Sequence, residues 1–420
     1  MAATKPNLSM CVWLALTGLA HPLLRKHLQK RVVRGKEDPN RWQEKLGLTD
    51  AARPQGVLIW LHAVGLGEVL ALRGLINKIS VLQPDWRFLI TSGTWTSAQV
   101  LARNMPHNCV HQFLPLDTPQ AATRFLDHWH PDLAVWAEQE LWPGLVWRCD
   151  TRRIPLALVN ARMDAASFSK RKKAARIYAD ALSRFSLVSA QDAGSSDHLT
   201  ALGAPAVRVD GSLKPIAPPL TVSGLAAAQH QTKGRFIWVV ASAHSADVPV
   251  ALTAHQALLA RDPNALLIIA PRDITDGPGI AEAVQSTGLT GHLRSASADL
   301  SGQVHIADTF GELGLWYRLA KVACIGGTFD DTQGHNPWEA VRLGTRVICG
   351  PQVANFAMDF DELLRSGGAT QVTNADGLLR ALLDDDHDNI VANAQNVIDQ
   401  KDTVFDRLSM DLVNLAKVSQ

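Results

Sequence analysis

The chain is poor in cysteine for its 420 residues, and the five it has are scattered: Cys11, Cys109, Cys149, Cys324 and Cys349 form no CxxC pair. An odd, dispersed set excludes a disulfide framework and a cysteine zinc site, and it suits a reducing compartment. A charge imbalance is also missing, because 41 Lys and Arg face 40 Asp and Glu for a net charge of +1. No global signature for binding a polyanion follows, so no nucleic-acid partner is expected. Short-period repeats, low-complexity tracts and clusters of acids and histidines at metal-ligand spacing are absent as well, so no metal is expected. Finally, no clean apolar run reaches the roughly 20 residues that cross a bilayer. The nearest, Met10 to Leu24, is interrupted by Thr17, His21 and Pro22.

That run is nevertheless followed at once by Arg25, Lys26, Lys30, Arg31, Arg34 and Lys36. A secretory signal carries its positive charge before the apolar stretch, so Gly18-Leu19-Ala20 is a poor cleavage site and anchoring is the better reading. Residues 1–36 are therefore expected to associate with a membrane, with the basic residues on its anionic cytoplasmic face, where each contributes about 1 kcal/mol.

The remaining length exceeds one ordinary core and predicts two lobes with a cleft between them. Short apolar runs bounded by Gly, Pro or Asp alternate with helical patterns: Val57–Leu61, Phe88–Ile90, Leu133–Trp136, Leu156–Val159 and Leu187–Ser189. After a proline-rich stretch from Lys214 to Leu220, a second series runs through Phe236–Val240, Leu266–Ile269, Val322–Ile325 and Val347–Cys349. Continuous apolar strands alternating with helices predict an α/β protein with two parallel, Rossmann-like sheets. The domains are placed at 37–215 and 216–420, with the last helix a candidate to pack back on the first.

Open parallel sheets bind ligands beyond the carboxyl ends of their strands. In the first lobe, Gly65 and Gly67 lead from a strand to Glu68 at a helix start. Glu68 is either a carboxylate favoured by the helix dipole or a general base facing the cleft. Glu138 and Glu140 lie just past another strand and suit a polyhydroxylated or basic group. Arg162 follows the next strand, and Lys170-Arg171-Lys172-Lys173-Arg176 is either a solvated helix face or a receiver of phosphate or lipid headgroup. In the second lobe, Pro271-Arg272 closes a strand and offers a guanidinium to an anion. Asp308 to Glu312 begins a helix, which capping alone would explain. Gly326-Gly327 follows a strand, and Asn336 to Glu339 opens a helix suited to a ribose diol.

Taken in order, Trp60-Leu61-His62-Ala63-Val64, Gly67-Glu68-Val69, Glu138-Gln139-Glu140-Leu141-Trp142-Pro143, Val159-Asn160-Ala161-Arg162, Ala241-Ser242-Ala243-His244, Asp308-Thr309-Phe310-Gly311-Glu312-Leu313-Gly314 and Gly334-His335-Asn336-Pro337-Trp338-Glu339 resemble the Kdo transferase family, over almost the full chain. Kdo is 3-deoxy-D-manno-oct-2-ulosonic acid. The resemblance implies a GT-B fold and an inverting transferase at the cytoplasmic face of the inner membrane. CMP-Kdo would be its donor substrate and a lipid A precursor its acceptor, with no cofactor or metal. It places the base on Glu68 and the donor site on Ser242, His244, Pro271, Arg272, Asp308, Gly311, Glu312, Gly326, Gly327, Asn336 and Glu339. The acceptor would meet Glu138, Glu140 and Arg162. Rival readings are another two-lobed nucleotide-sugar transferase, an epimerase, or a non-catalytic lipid-binding protein of the same fold.

Overall fold

The computed structural model describes residues 5–63 and 66–418. It contains two compact units: the first runs to Ala217 and is rejoined from Asp402 onward, and the second is Pro218–Lys401. The division falls inside the proline-rich stretch, where Pro215, Pro218 and Pro219 cannot donate to a ladder.

In the first unit β1 (Leu58–His62), β2 (Arg87–Ser92), β3 (Cys109–Phe113), β4 (Leu133–Ala137), β5 (Leu156–Ala161), β6 (Leu187–Ala190) and β7 (Arg208–Val209) form one sheet. The order is β3-β2-β1-β4-β5-β6-β7 and the pairings are parallel. The second unit repeats the plan with β8 (Ile237–Ala243), β9 (Leu266–Pro271), β10 (Gly291–Leu293), β11 (Val304–Ile306), β12 (Val322–Ile325), β13 (Arg346–Cys349) and β14 (Ala369–Gln371). Its parallel order is β10-β11-β9-β8-β12-β13-β14. Chain order reverses direction between β1 and β4, and again between β8 and β12. Those two switch points are where such sheets leave room for a ligand.

Both faces of each sheet are covered, which is why the central strands read as unbroken apolar runs. Leu58 and Trp60 of β1 join one core cluster while Ile59 and Leu61 join another on the opposite face. In β8 the alternation holds for Ile237, Val239 and Ala241 against Trp238 and Val240, then breaks, because Ala243 sits on the face of Trp238. A register shift between Ala241 and Ala243 is the cause, and Ser242 at its centre has φ +58°. One inserted residue re-aims everything beyond it.

Leu8–Val33 is one helix, and it is part of the first unit. On its inner side Trp13 Nε1 donates to Asp117 Oδ2 at 3.2 Å, and His21, which interrupts the apolar run, is hydrogen-bonded through Nδ1 to Thr118 Oγ1 at 2.8 Å. Met10 and Leu28 are buried with them. Beyond the helix, Glu37 is buried and binds Arg31 Nε at 2.7 Å and Lys45 Nζ at 2.6 Å, which fixes the helix end to the body. The outer face keeps Leu8, Val12, Leu16, Leu19 and Leu23 exposed. At the other terminus, the helix His387–Lys417 buries Ala394, Val397 and Ile398 in the core of the second unit and Phe405, Leu408, Leu412 and Val413 in that of the first.

Candidate active site

The first unit presents its candidate residues at the carboxyl ends of β1, β4 and β5. His62 ends β1 fully buried, with Nδ1 3.0 Å from Thr91 Oγ1, and burial pulls its pKa down to about 3, so the ring is neutral. The helix Leu66–Leu82 follows, and Glu68 is in its first turn, among backbone N–H groups that have no partner within the helix. Residues 64 and 65 and the side chain of Glu68 lie outside the described set.

Beside β1, β4 runs straight into Glu138, whose φ is +60°, and Asn160 near the end of β5 has φ +53°. Two non-glycine residues in the left-handed region cost about 1–3 kcal/mol each and persist only where neighbours impose them. The imposing contacts are present. Asn160 Nδ2 donates to Glu138 Oε1 at 3.1 Å, and its Oδ1 accepts from the Leu213 backbone at 3.0 Å. Gln191 Nε2 donates to the same Glu138 oxygen at 3.3 Å and to Asn160 O at 2.9 Å. Glu138 is thus held by two amides, one of them on Gln191, a residue with no motif around it to mark it. Glu140 lines a cavity described below, and Arg162 is exposed just past β5. The helix Ala165–Lys172 buries none of its residues, and Asn7 Nδ2 donates to the Arg176 carbonyl, so the basic cluster adjoins the start of the N-terminal helix.

In the second unit the ends of β8, β9 and β12 are tied together. Arg272 N donates to Ala243 O at 3.0 Å, bringing the exposed Arg272 side chain beside the β8 turn. Gly326 has no alternative residue, since a Cβ there would lie 2.3 Å from the Ser242 carbonyl oxygen. Asp247, buried, accepts at one oxygen from His244 N and Gly327 N, both at 2.7 Å. Burial raises its pKa while those two N–H groups oppose the rise. His244 and His335 meet Nε2 to Nε2 at 2.8 Å with ring planes 12° apart, so one nitrogen donates and the other accepts. Burial, then His244, then Arg272, lower the His335 pKa to about 4. Asn336 Oδ1 accepts from Trp338 N at 3.1 Å at the start of the helix Trp338–Arg342, and its side chain also bonds the Glu339 carboxylate. Burial raises the Glu339 pKa, against the pull of Asn336 and Arg272. Ser242, His244, Arg272, Gly326, Gly327, Asn336 and Glu339 therefore share one neighbourhood; within it the sequence pointed to no role for Asp247, and to His335 only as a member of a motif.

Asp308 and Glu312 do different work. Asp308 accepts from Ser295 N at 2.8 Å and from its hydroxyl, and Glu312 accepts from Arg294 Nη2 at 2.7 Å and from the Thr309 hydroxyl. The Arg294 bond, first among its partners, holds the Glu312 carboxyl below the usual range. Both carboxylates fasten the loop in which Gly311 has φ +87°. Pro271 closes β9, buried.

Known proteins match this arrangement. Residues 40–216 match the family described as 3-Deoxy-D-manno-octulosonic-acid transferase (kdotransferase). A probable mitochondrial 3-deoxy-D-manno-octulosonic acid transferase of Arabidopsis thaliana is 35% identical over 82% of this chain and 80% of its own length. The 3-deoxy-D-manno-octulosonic acid transferase of Haemophilus influenzae is 31% identical over 78% of each chain. The chain belongs to the Kdo transferase family. Among solved structures, a glycosyltransferase from Rickettsia africae superposes with a TM-score of 0.56 over 85% of this chain and 98% of its own, at 11% identity. The UDP-GlcNAc 2-epimerase of Neisseria meningitidis gives 0.51 over 82% and 99%, also at 11%. These two similarities concern the fold alone, the GT-B arrangement of two Rossmann-like domains.

Proposed function

We propose that this Kdo transferase moves Kdo from CMP-Kdo to a primary hydroxyl of the lipid A precursor, with inversion and without a metal, at the cytoplasmic face of the inner membrane. The observation that carries the reading is the tied cluster of Ser242, His244, Arg272, Gly326, Gly327, Asn336 and Glu339 at the β8–β12 switch point, in a chain whose relatives are named 3-deoxy-D-manno-octulosonic acid transferases. Arg272, exposed beside the β8 turn, suits the phosphate of CMP, and Glu339 suits its ribose. Glu68 takes the proton of the attacking hydroxyl, and the phosphate departs from the opposite face of the anomeric carbon, so one displacement inverts configuration. A single leaving phosphate carries less charge than the diphosphates that recruit magnesium, and Arg272 with backbone dipoles suffices for it. Membrane attachment is supported by the exposed stripe Leu8, Val12, Leu16, Leu19 and Leu23, followed on the same helix by Lys26 and Lys30. The test is transfer of radiolabelled Kdo from CMP-Kdo to the lipid A precursor, with chelator in a parallel reaction. Absence of labelled lipid would overturn the reading, and chelator-sensitive transfer would overturn its metal independence.

A further inference from the structure

The first unit contains a cavity of about 270 Å³ that no step of the transfer uses. Its apolar wall comes from Trp13 of the N-terminal helix, Leu141 and Trp142 after β4, and Ile177 and Tyr178 of the helix Ala175–Leu182, while Asp117, Gln139, Glu140 and Arg171 line its polar side. Of its polar members, Asp117 is already engaged: it accepts from Trp13 Nε1 at 3.2 Å, Gly144 N at 3.1 Å and Leu145 N at 2.7 Å, and so makes Trp13 a fixed part of the wall. Two donors of the wall residues are not engaged. Trp142 Nε1 and Arg171 Nε are buried with no hydrogen-bond partner among the described residues. A buried N–H left without an acceptor is costly, and its presence calls for a missing partner.

An apolar hollow with unanswered donors fits a hydrocarbon chain joined through a carbonyl: the methylenes cover the Trp, Leu and Ile surfaces and the C=O accepts from an N–H. The position agrees, because Trp13 belongs to the same helix turns as the exposed Val12 and Leu16, so one helix serves both the cavity and the outward apolar stripe. We infer that this cavity holds an amide- or ester-linked fatty-acyl chain of the acceptor, with Trp142 and Arg171 meeting its carbonyl end. The inference rests on the reading above that the acceptor is an acylated lipid, and it makes acyl length a determinant of acceptor choice.

The test uses the full chain in membranes and an acceptor carrying a diazirine at the end of an acyl chain. Photolabel is expected on peptides spanning 139–143 and 171–178, and unlabelled acceptor should suppress it. Label elsewhere overturns the assignment, as does equal labelling by a diazirine phosphatidylglycerol that the acceptor fails to displace, which would make the occupant a membrane lipid. A second measurement fills the hollow with Ala174→Trp: KM for the acylated acceptor should rise about 10-fold or more, with KM for CMP-Kdo and the melting temperature unchanged. An unchanged acceptor KM overturns the inference. If wild-type protein transfers Kdo to no acceptor, the functional reading fails, while the labelling still reports on the cavity.

Discussion

Asp247 accepts a 2.7 Å hydrogen bond from the backbone N–H of Gly327, and with the same oxygen a second from His244 N, so one buried carboxylate clamps the loops after β8 and β12 together. Charged acceptors of this kind contribute about 1.5–3 kcal/mol per bond. Asp247→Ala should therefore lower unfolding stability by about that amount at least, and weaken CMP binding with it, because both loops lose their common anchor. Asp247→Asn keeps one acceptor oxygen and should lose less. Denaturant unfolding of the two variants checks this, and equal stability of Asp247→Ala and wild type would rule the clamp out.

This clamp also marks where sequence reasoning ran out. The nine strands expected from apolar runs are all present, since each lies inside a sheet covered on both faces and so carries an uninterrupted apolar stretch. The five not expected are β3, β7, β10, β11 and β14. Four of these are sheet edges, and the fifth, β11, is Val304–Ile306 with His305 at its centre, too short and too polar to stand out. In the same way, glycines and carboxylates in ordered motifs were legible, because their backbone geometry or exposure constrains residue type. Gln191, Asp247 and His335 act through contacts with residues 31 to 91 positions away, a relation no local pattern contains. The role of His21 was hidden for a related reason: polarity in an apolar run reads as interruption until the neighbouring Thr118 is in place.

Glu339 offers a test of donor recognition. It is half-buried, bonded to Asn336 and beside Arg272. Glu339→Ala should weaken CMP binding by about 1.5–3 kcal/mol, the value of hydrogen bonds to a charged group. Calorimetric titration with CMP measures it, and wild-type affinity in a folded variant would take Glu339 out of the donor site.

His255 makes acid sensitivity predictable. It is fully buried, accepts at Nδ1 from Trp238 Nε1 at 3.2 Å, and its Nε2 lies 2.9 Å from Gln303 O. Burial lowers its pKa to about 4. The unfolded chain, with a histidine near 6.5, binds the proton first, so stability is present above pH 6.5 and is lost as pH falls toward 4, at up to about 1.4 kcal/mol per pH unit. His255→Gln can donate and accept without titrating. Its melting temperature should fall less between pH 7 and pH 4 than that of wild type, and parallel curves would assign the acid loss to other groups.

The N-terminal helix calls for substitution instead of deletion. Removing residues 1–36 would strip Met10 and Leu28 from the core and break the Trp13–Asp117 bond, so loss of membrane binding would be confounded with unfolding. Leu16→Glu with Leu19→Glu changes only exposed positions. The double variant should leave the melting temperature within about 1–2 °C while releasing protein from washed membranes, since charge at an inserted surface opposes burial. Full retention on membranes in high salt would place the attachment elsewhere, with the Lys170 to Arg176 cluster next to be tested.

The base itself is decided by one substitution measured three ways. Glu68 stands in the first turn of the helix after β1, where a carboxylate has two distinct uses. As a general base, it must accept the hydroxyl proton, and Glu68→Gln preserves size and hydrogen bonding but not that basicity. Turnover should then fall by about 100-fold to 10,000-fold, with CMP affinity and melting temperature little changed, because the group acts on the acceptor and not on the nucleotide. As a helix-start carboxylate it would contribute up to about 1 kcal/mol of stability through the dipole, and the same change would lower the melting temperature with turnover near normal. The two roles predict opposite balances on a single preparation. Wild-type turnover in Glu68→Gln would remove this residue from the chemistry, whatever became of its stability.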